Sequence, residues 1–261
     1  MSHLVVTGST RGIGLGMARR FLEKGHLVTV NGTTTGGLEA ALKTLRGAYP
    51  GAPVEGLAAN LAEAGSAQRL WDFASARAPV DVWINNHGVT QSSVATADLP
   101  RDEIRRVLDI NLLGMIEASQ VAVNGFRKQG KGTLLYMEGF GSNDMVNDTM
   151  AIYGTSKRAL TYFTKALVAE YKGTPLTVCW LSPGMVTTDL LLHDLPASGP
   201  ERDRMVRLYN ILADRVETVA PWLADRILAG PKHGDRIAWL TGGKAAWRFA
   251  TAAFVKRNVM P

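Results

Sequence analysis

Short apolar runs alternate along the chain with longer segments of helical periodicity. Their length and composition predict buried β-strands, at residues 4–7, 27–30, 54–58, 80–84, 133–137, 176–181 and 237–240. Between these runs, apolar residues recur every three or four positions. This spacing predicts helices over residues 13–24, 38–46, 62–77, 101–128 and 151–172.

Regular alternation of strands and helices indicates right-handed crossovers and a parallel sheet. We therefore expect an α/β fold, a single Rossmann-type doubly wound domain over residues 1–261, with a sheet of about seven strands and helices on both faces. Ligands of such sheets bind beyond the carboxyl ends of the strands. Residues 190–215 are less regular, with Pro196, Gly199 and Pro200 between apolar patches. We predict a mobile substrate lid there.

Composition and charge narrow the class of protein. The first apolar run begins at Leu4 with no long apolar leader before it, which argues against secretion. The single cysteine, Cys179, lies in an apolar run and predicts a buried thiol in a reducing compartment, so we expect a cytoplasmic protein. The formal charge is +6, but basic residues are spread along the chain without a nucleic-acid-binding motif. We expect no nucleic-acid partner and no metal.

The C-terminal tail, residues 244–261, combines basic and apolar residues. It contains Lys244, Trp247, Arg248, Phe249, Phe254, Val255, Lys256 and Arg257. Two interpretations are open: a surface-seeking segment in peripheral contact with a membrane, or a helix packed on the domain or on an oligomer partner. We favour the packed helix and expect a homodimer or homotetramer. No stretch is long and apolar enough to span a bilayer.

A glycine-rich loop follows the first predicted strand and opens the first predicted helix. Its glycines are Gly8, Gly12 and Gly14. Glycines allow a tight turn and let a pyrophosphate approach the backbone N–H groups at the positive end of the helix. We therefore assign the loop to a dinucleotide cofactor, with contacts from Gly8, Ser9, Thr10, Arg11, Gly12, Ile13 and Gly14.

The end of the second predicted strand bears on the choice of cofactor. An acid there would bind the ribose 2′-hydroxyl and repel a 2′-phosphate, but residues 30–34 contain none. Arg11 can supply positive charge to that phosphate, and Thr33 and Thr34 can donate hydrogen bonds. NADP(H) is therefore predicted over NAD(H). Further cofactor contacts, with ordinary loop structure as the alternative, are predicted from Asn60, Leu61, Asn86, His87 and Gly88.

Tyr153 and Lys157 provide candidate acid–base chemistry. At i and i+4 they lie on one face of a predicted helix. A free phenol titrates near pH 10, but an adjacent ammonium and an oxidised nicotinamide ring stabilise the phenolate. The phenol can then act as the acid in a reduction and as the base in an oxidation.

Together these features resemble the short-chain dehydrogenase/reductase family over nearly the whole chain. Six motifs match in order: Thr7-Gly8-x-x-x-Gly12-Ile13-Gly14, Asn60-Leu61, Asn85-Asn86-x-Gly88, Asn111, Tyr153-x-x-x-Lys157 and Pro183-Gly184-Met185-Val186-Thr187-Thr188. The resemblance implies that Tyr153 donates and accepts the proton, that Lys157 lowers the pKa of Tyr153 and holds the nicotinamide ribose, and that Asn111 anchors a relay water. It also places Pro183, Gly184, Val186 and Thr188 at the cofactor, with Val186 and Thr188 on the carboxamide.

The chain departs from the family at the serine that polarises the substrate carbonyl. Counting along the strand puts Gly139 where that serine belongs. Ser142, in the glycine-flanked loop that follows, is a candidate replacement, with a simple turn residue as the alternative. A lost donor costs a few kcal/mol of barrier, which favours a more electrophilic carbonyl such as an aldehyde.

Two segments also look like those of chlorophyll b reductases, a subgroup of the family. They are Met137-Glu138-Gly139-Phe140-Gly141-Ser142 and Leu181-Ser182-Pro183-Gly184-Met185-Val186-Thr187-Thr188-Asp189-Leu190-Leu191, and the tail from Trp239 to Arg257 is similar too. This resemblance implies reduction of a formyl group on a large planar tetrapyrrole. We expect an NADP(H)-dependent oxidoreductase that transfers hydride between nicotinamide and a carbonyl or alcohol. The alternative is a catalytically silent NADP(H)-binding sensor or scaffold protein of the same fold.

Overall fold

Apolar segments of the chain form a parallel sheet at the centre of the molecule, which a computed structural model describes for residues 1–193 and 195–260. The sheet consists of β1 (His3–Val6), β2 (Leu27–Gly32), β3 (Val54–Ala58), β4 (Val82–Asn85), β5 (Gly132–Met137), β6 (Leu176–Ser182) and β9 (Arg236–Ala238). Its order is β3-β2-β1-β4-β5-β6-β9. Two short strands, β7 (Val186–Thr187) and β8 (Asp214–Arg215), pair separately beyond it.

Helices cover both faces of the sheet. They are α1 (Gly12–Glu23), α2 (Thr35–Ala48), α3 (Ser66–Arg77), α4 (Arg101–Leu108), α5 (Gly114–Gln129), α6 (Ala151–Glu170), α7 (Asp189–Leu192), α8 (Pro200–Leu212), α9 (Val216–Leu228) and α10 (Gly242–Thr251). On one face, α1, α2 and α9 bury apolar residues such as Phe21, Leu45 and Leu223. On the other, α3, α5 and α6 bury residues such as Trp71 and Phe126. The predicted doubly wound Rossmann-type fold is confirmed.

Two predicted helices differ in detail from those observed. α3 begins at Ser66 and not at residue 62, because the Asn60 side chain accepts the N–H of Ala62 in a turn and Gly65 has the left-handed φ of 77°. The helix predicted over residues 101–128 follows its expected path, but Asp109–Leu113 form a π-turn between α4 and α5. The π-turn shifts the apolar spacing at one point only, so the segment still has the pattern of a continuous helix.

The predicted lid contains more regular structure than its sequence suggests, and the tail contains a helix. Within residues 190–215, α8 begins with Pro200 in its first turn after Gly199. The tail contributes α10, which packs against α8. Asp194 in the predicted lid and Pro261 at the end of the tail lie outside the described residues. Within the described residues, no helix combines the length and the apolar character needed to cross a membrane.

Candidate active site

The glycine-rich loop lies between the carboxyl ends of β1 and β4, where the strand order of the sheet reverses. Gly8 has a φ of 58°, and a β-carbon there would lie 2.7 Å from the Cα of His87. Only glycine fits this close approach. Asn86 donates from Nδ2 to the carbonyls of Thr7 and Gly8, both at 2.9 Å. The loop is thereby held rigidly against the segment that follows β4.

The amino end of α1 is suited to a pyrophosphate. α1 begins at Gly12, and in the part of the chain that the structure describes no side chain caps it. Its first N–H groups therefore remain available to an anion, together with the positive end of the helix dipole. The donor set fits a dinucleotide: backbone N–H groups from the loop can hold the phosphates, with Ile13 and Gly14 in the first turn.

Two loop residues and one neighbour have structural roles in addition to their predicted cofactor contacts. The hydroxyl of Ser9 is fully buried and donates to the carbonyl of Val6 at 2.6 Å. Thr10 lies against Gly32 at the end of β2. The ring of His87 is buried beneath the loop, with Nδ1 2.8 Å from the Thr7 hydroxyl. Burial lowers the pKa of His87 to about 3, so the imidazole is neutral.

The predicted 2′-phosphate end of the site is open. Thr33 is exposed, whereas the hydroxyl of Thr34 caps α2 by accepting the N–H of Gly37. Arg11 is exposed as well and lies 3.4 Å from the carboxylate of Asp189, at the start of α7. Further along this edge, the turn at Asn60 leads into the buried Leu61. Arg11 is thus accessible to an anionic ligand that displaces Asp189.

Tyr153 and Lys157 lie on the buried face of α6. The first turn of this helix is fixed by Gln91, whose side chain accepts the N–H of Tyr153 at 2.8 Å and donates to the carbonyl of Thr149 at 3.0 Å. Gln91 is 1% exposed. Sequence reasoning missed it, and the polar character of a residue soon after β4 is the one signal that points to it.

Burial sets the protonation of the pair in the free protein. It raises the pKa of Tyr153 to about 12 and lowers the pKa of Lys157 to about 8. The Lys157 Nζ lies 5.7 Å from the centre of the Tyr153 ring. At neutral pH the phenol is therefore protonated and suited to donate a proton, while the lysine keeps most of its charge at a cost in folding free energy.

Asn111 lies in the π-turn and is fully buried. Its Oδ1 accepts the N–H of Val89 at 2.8 Å, and its Nδ2 donates to the carbonyl of Val89 at 2.8 Å and to the Ser156 hydroxyl at 3.2 Å. Gly88 fits between Asn111 and Lys157, since a β-carbon there would lie 3.3 Å from Asn111 Oδ1 and 3.4 Å from Lys157 Nζ. The structure thus brings Asn111, Gly88, Lys157 and Tyr153 together.

Gly139 lies directly against the phenol. A β-carbon at this position would lie 2.5 Å from Tyr153 Oη and 3.0 Å from Lys157 Cε. The Oγ of Ser142 accepts the N–H of Gly139 at 3.2 Å, and both Ser142 and Lys157 line a cavity of 10 Å³ that also borders Trp180. Ser142 therefore supports the turn at Gly139 and lies beside Lys157, while its predicted role on the substrate carbonyl stays a prediction.

The loop after β6 brings the predicted carboxamide contacts to the glycine loop. Gly184 adopts a φ of 72° after Pro183. Val186 is buried in β7, and Thr188 caps α7 by accepting the N–H of Leu191. A β-carbon on Gly12 would lie 3.4 Å from Thr188 Cγ2, so the two segments meet across the mouth of the cleft.

Comparison with known proteins agrees with this geometry. The family model described as short chain dehydrogenase matches residues 2–196. The chain is 33% identical over 267 residues to chlorophyll(ide) b reductase NOL, a chloroplastic protein of Oryza sativa subsp. japonica, covering 98% of this chain and 76% of that one.

Solved structures share the fold. A variant of actinorhodin polyketide ketoreductase with NADPH is 27% identical, with a TM-score of 0.78 and 94% and 97% of the two chains covered. Levodione reductase has a TM-score of 0.81 at 18% identity, covering 94% of this chain and 98% of that one. The chain belongs to the short-chain dehydrogenase family of oxidoreductases.

Proposed function

We propose that this protein is an NADP(H)-dependent reductase of a carbonyl compound, with Tyr153 as the general acid. The observation that carries the proposal is the buried cluster of Tyr153, Lys157 and Asn111 beside the glycine loop, at the edge of the sheet where ligands bind. When bound, the nicotinamide cofactor supplies the hydride. Tyr153 would then donate its proton to the carbonyl oxygen, and the charge of Lys157 would stabilise the phenolate that remains.

The high pKa of Tyr153 supports the reductive direction. Burial keeps the phenol protonated at neutral pH, as an acid must be before the reaction. In the reverse reaction the positively charged ring of the oxidised nicotinamide would stabilise the phenolate, so Tyr153 can then act as the base. Asn111 fixes the backbone at Val89 and positions α6 through Ser156.

The preference for NADP(H) rests on charge at the open end of the cleft. Residues 30–34, at the end of β2, contain no carboxylate, and Arg11 is exposed within the glycine loop. A 2′-phosphate is a stronger anion than a carboxylate on the surface, so it displaces Asp189 from Arg11. The ketoreductase named above was solved with NADPH, which is in keeping with this choice.

We propose a formyl group on a large planar molecule as the substrate. A chlorophyll(ide) b reductase is similar over 98% of this chain, and Gly139 removes the hydroxyl that the family normally offers to the carbonyl. An aldehyde needs that donor less than a ketone because its carbon is more electrophilic.

The experiment is turnover of NADPH by the purified protein with chlorophyllide b and a panel of smaller aldehydes and ketones. Consumption of NADPH with formyl compounds, and slower consumption with NADH, is the expected result. Tight NADPH binding without turnover of any carbonyl compound would instead indicate the silent cofactor-binding protein. In the same assay, unchanged turnover by Ser142→Ala would remove Ser142 from carbonyl polarisation.

Assembly and location stay predictions. We expect a homodimer or homotetramer, which light scattering of the purified protein measures. The tail keeps Trp247 and Phe254 exposed, so peripheral membrane contact is tested by sedimentation with anionic vesicles. The sequence predicts a cytoplasmic protein, whereas the reductase of Oryza sativa described above is named as chloroplastic.

A further inference from the structure

The C-terminal tail meets the substrate side of the molecule at one buried carboxylate, Asp214. Asp214 lies in β8 and its side chain is 9% exposed. It accepts two hydrogen bonds from Arg248 Nη2, at 2.8 and 3.1 Å, and one from Trp239 Nε1, at 2.6 Å. Arg257 Nη2 also donates to it. One carboxylate thus holds two arginines of the tail.

The same two arginines bind the carboxyl end of α8. Arg248 donates to the carbonyl of Leu212 at 2.8 Å, and Arg257 donates to those of Ile211 at 2.6 Å and Ala213 at 2.8 Å. These carbonyls have no partners within the helix and carry its negative partial charge. The negative partial charge of these carbonyls offsets the net positive charge of two arginines paired with one carboxylate.

The last residues of the tail add a second attachment to the same helix. The side-chain oxygen of Asn210 accepts the N–H groups of Val259 at 2.9 Å and Met260 at 3.2 Å. Met260 is buried with Tyr209 and Ala213 in a small apolar cluster. The tail therefore follows the end of α8 through both polar and apolar contacts.

On its other side, Asp214 is joined to the segment predicted to hold the nicotinamide. β8 pairs with β7 in the register Val186 to Asp214. The N–H of Asp214 donates to the carbonyl of Met185 at 3.0 Å, and the Thr187 hydroxyl lies 3.5 Å from the carbonyl of Asp214. Asp214 therefore contacts Met185, Val186 and Thr187, which directly precede Thr188.

We propose that Asp214, Arg248 and Arg257 are positioning residues through which the tail fixes α8 and β7 on the substrate side of the active site. A buried carboxylate is stable only while it keeps the arginines that neutralise it, so loss of one arginine loosens all the segments that meet there. The assignment of this side to the substrate rests on the proposed function. The set of contacts that joins the tail to α8 and β7 through Asp214, Arg248 and Arg257, here called the brace, does not depend on that function.

The test compares Arg257→Gln with Lys256→Gln. Both variants remove one positive charge from neighbouring positions, but Lys256 is exposed whereas Arg257 reaches Asp214 and two carbonyls of α8. In Arg257→Gln we expect amide hydrogen exchange across residues 186–188 and 200–212 to accelerate about tenfold or more, because the local opening becomes easier. Lys256→Gln should exchange like the unmodified protein.

Kinetics with NADPH and a carbonyl substrate provide the functional readout. For Arg257→Gln we expect KM for the carbonyl substrate to rise about tenfold and the affinity for NADPH to weaken less than that. The segment 186–188 is loosened, but the cofactor keeps its contacts with the loop after β1. A KM equal to that of Lys256→Gln would overturn the role in substrate positioning.

Exchange is measured without substrate or cofactor, so it tests the brace even if the protein reduces no carbonyl compound. Equal exchange in the two variants would overturn the brace itself. Asp214→Asn provides a second variant that keeps the shape of the side chain but removes its charge, and it should accelerate exchange in the same residues as Arg257→Gln. Acceleration confined to α10 would contradict the proposed link to β7 and α8.

Discussion

Replacement of Lys157 by methionine should make the free protein more stable while abolishing its chemistry. Lys157 is 4% exposed, and in the described part of the chain no carboxylate pairs with it. Burial lowers its pKa from 10.5 to about 8. At about 1.4 kcal/mol for each tenfold change in proton affinity, the charged lysine costs about 3 kcal/mol of folding free energy at pH 7.

Methionine keeps the apolar length of the side chain without the charge. We therefore expect Lys157→Met to raise the free energy of unfolding at pH 7 by about 3 kcal/mol, or roughly 6 to 10 °C in Tm. The gain must depend on pH. Between about 8 and 10.5 the unfolded protein binds a proton on Lys157 that the folded protein does not, so the unmodified protein becomes more stable as pH rises.

The difference between the two proteins should therefore shrink from about 3 kcal/mol at pH 7 to near zero above pH 10.5. In the folded protein Tyr153, with a pKa of about 12, and His87, with a pKa of about 3, do not titrate in this window. Their titration in the unfolded chain is common to both proteins and cancels in the difference. Urea denaturation at pH 7, 9 and 10.5 measures the difference. Lys165→Met is the matched control, because Lys165 is exposed on the same helix. A stability gain that is absent, or that does not change with pH, would refute the reasoning.

Four further predictions concern activity. Tyr153→Phe should lower kcat by about 10²- to 10⁴-fold with unchanged NADPH affinity, as measured by steady-state kinetics and fluorescence titration; near-normal turnover would remove the assigned acid. Gly139→Ser restores the family's hydroxyl but should lower kcat at least about tenfold, because the serine β-carbon would clash with Tyr153 Oη. Gly139→Ala should lower kcat to a similar extent. A serine variant faster than the unmodified protein would contradict the clash. Arg11→Ala should weaken NADPH binding by about tenfold or more and leave NADH binding unchanged, as measured by calorimetry. An equal loss of affinity for both cofactors would exclude a role of Arg11 at the 2′-phosphate. The rate of carbonyl reduction should fall as pH rises through about 8, since Lys157 then loses its charge; a pH–rate profile that stays flat to pH 10 would show that the ammonium is not required.

The order of strands and helices was predictable because buried strands and amphipathic helices leave local patterns of apolar residues. The glycine loop was predictable for a similar reason, since its three glycines and the strand before them are adjacent in sequence. The pair Tyr153 and Lys157 is also local, four residues apart on one helix. Features that arise within a few residues were therefore accessible without a structure.

Contacts between distant polar residues were not predictable in this way. Gln91 fixes the first turn of α6 across 62 residues of sequence, and Arg257 reaches Asp214 across 43. A lone polar residue in a loop gives no indication of its partner, because the pairing depends on tertiary packing. For the same reason the sequence shows the charges of the tail but not their partners, whereas in the structure Arg248 is buried and paired with Asp214. Its favoured interpretation as a packed helix agrees with the contacts of α10 with α8.

The π-turn at Asp109–Leu113 changes the helical phase between α4 and α5. One extra residue rotates everything after it by about 100° relative to a continuous α-helix. As a result α4 can face α6 while α5 faces α3, although the π-turn joins the two helices without a gap in sequence. Deletion of a single residue from this turn would produce a more regular helix with Asn111 on the wrong side. The irregularity is therefore what allows one long helical segment to serve the core and the active site at once.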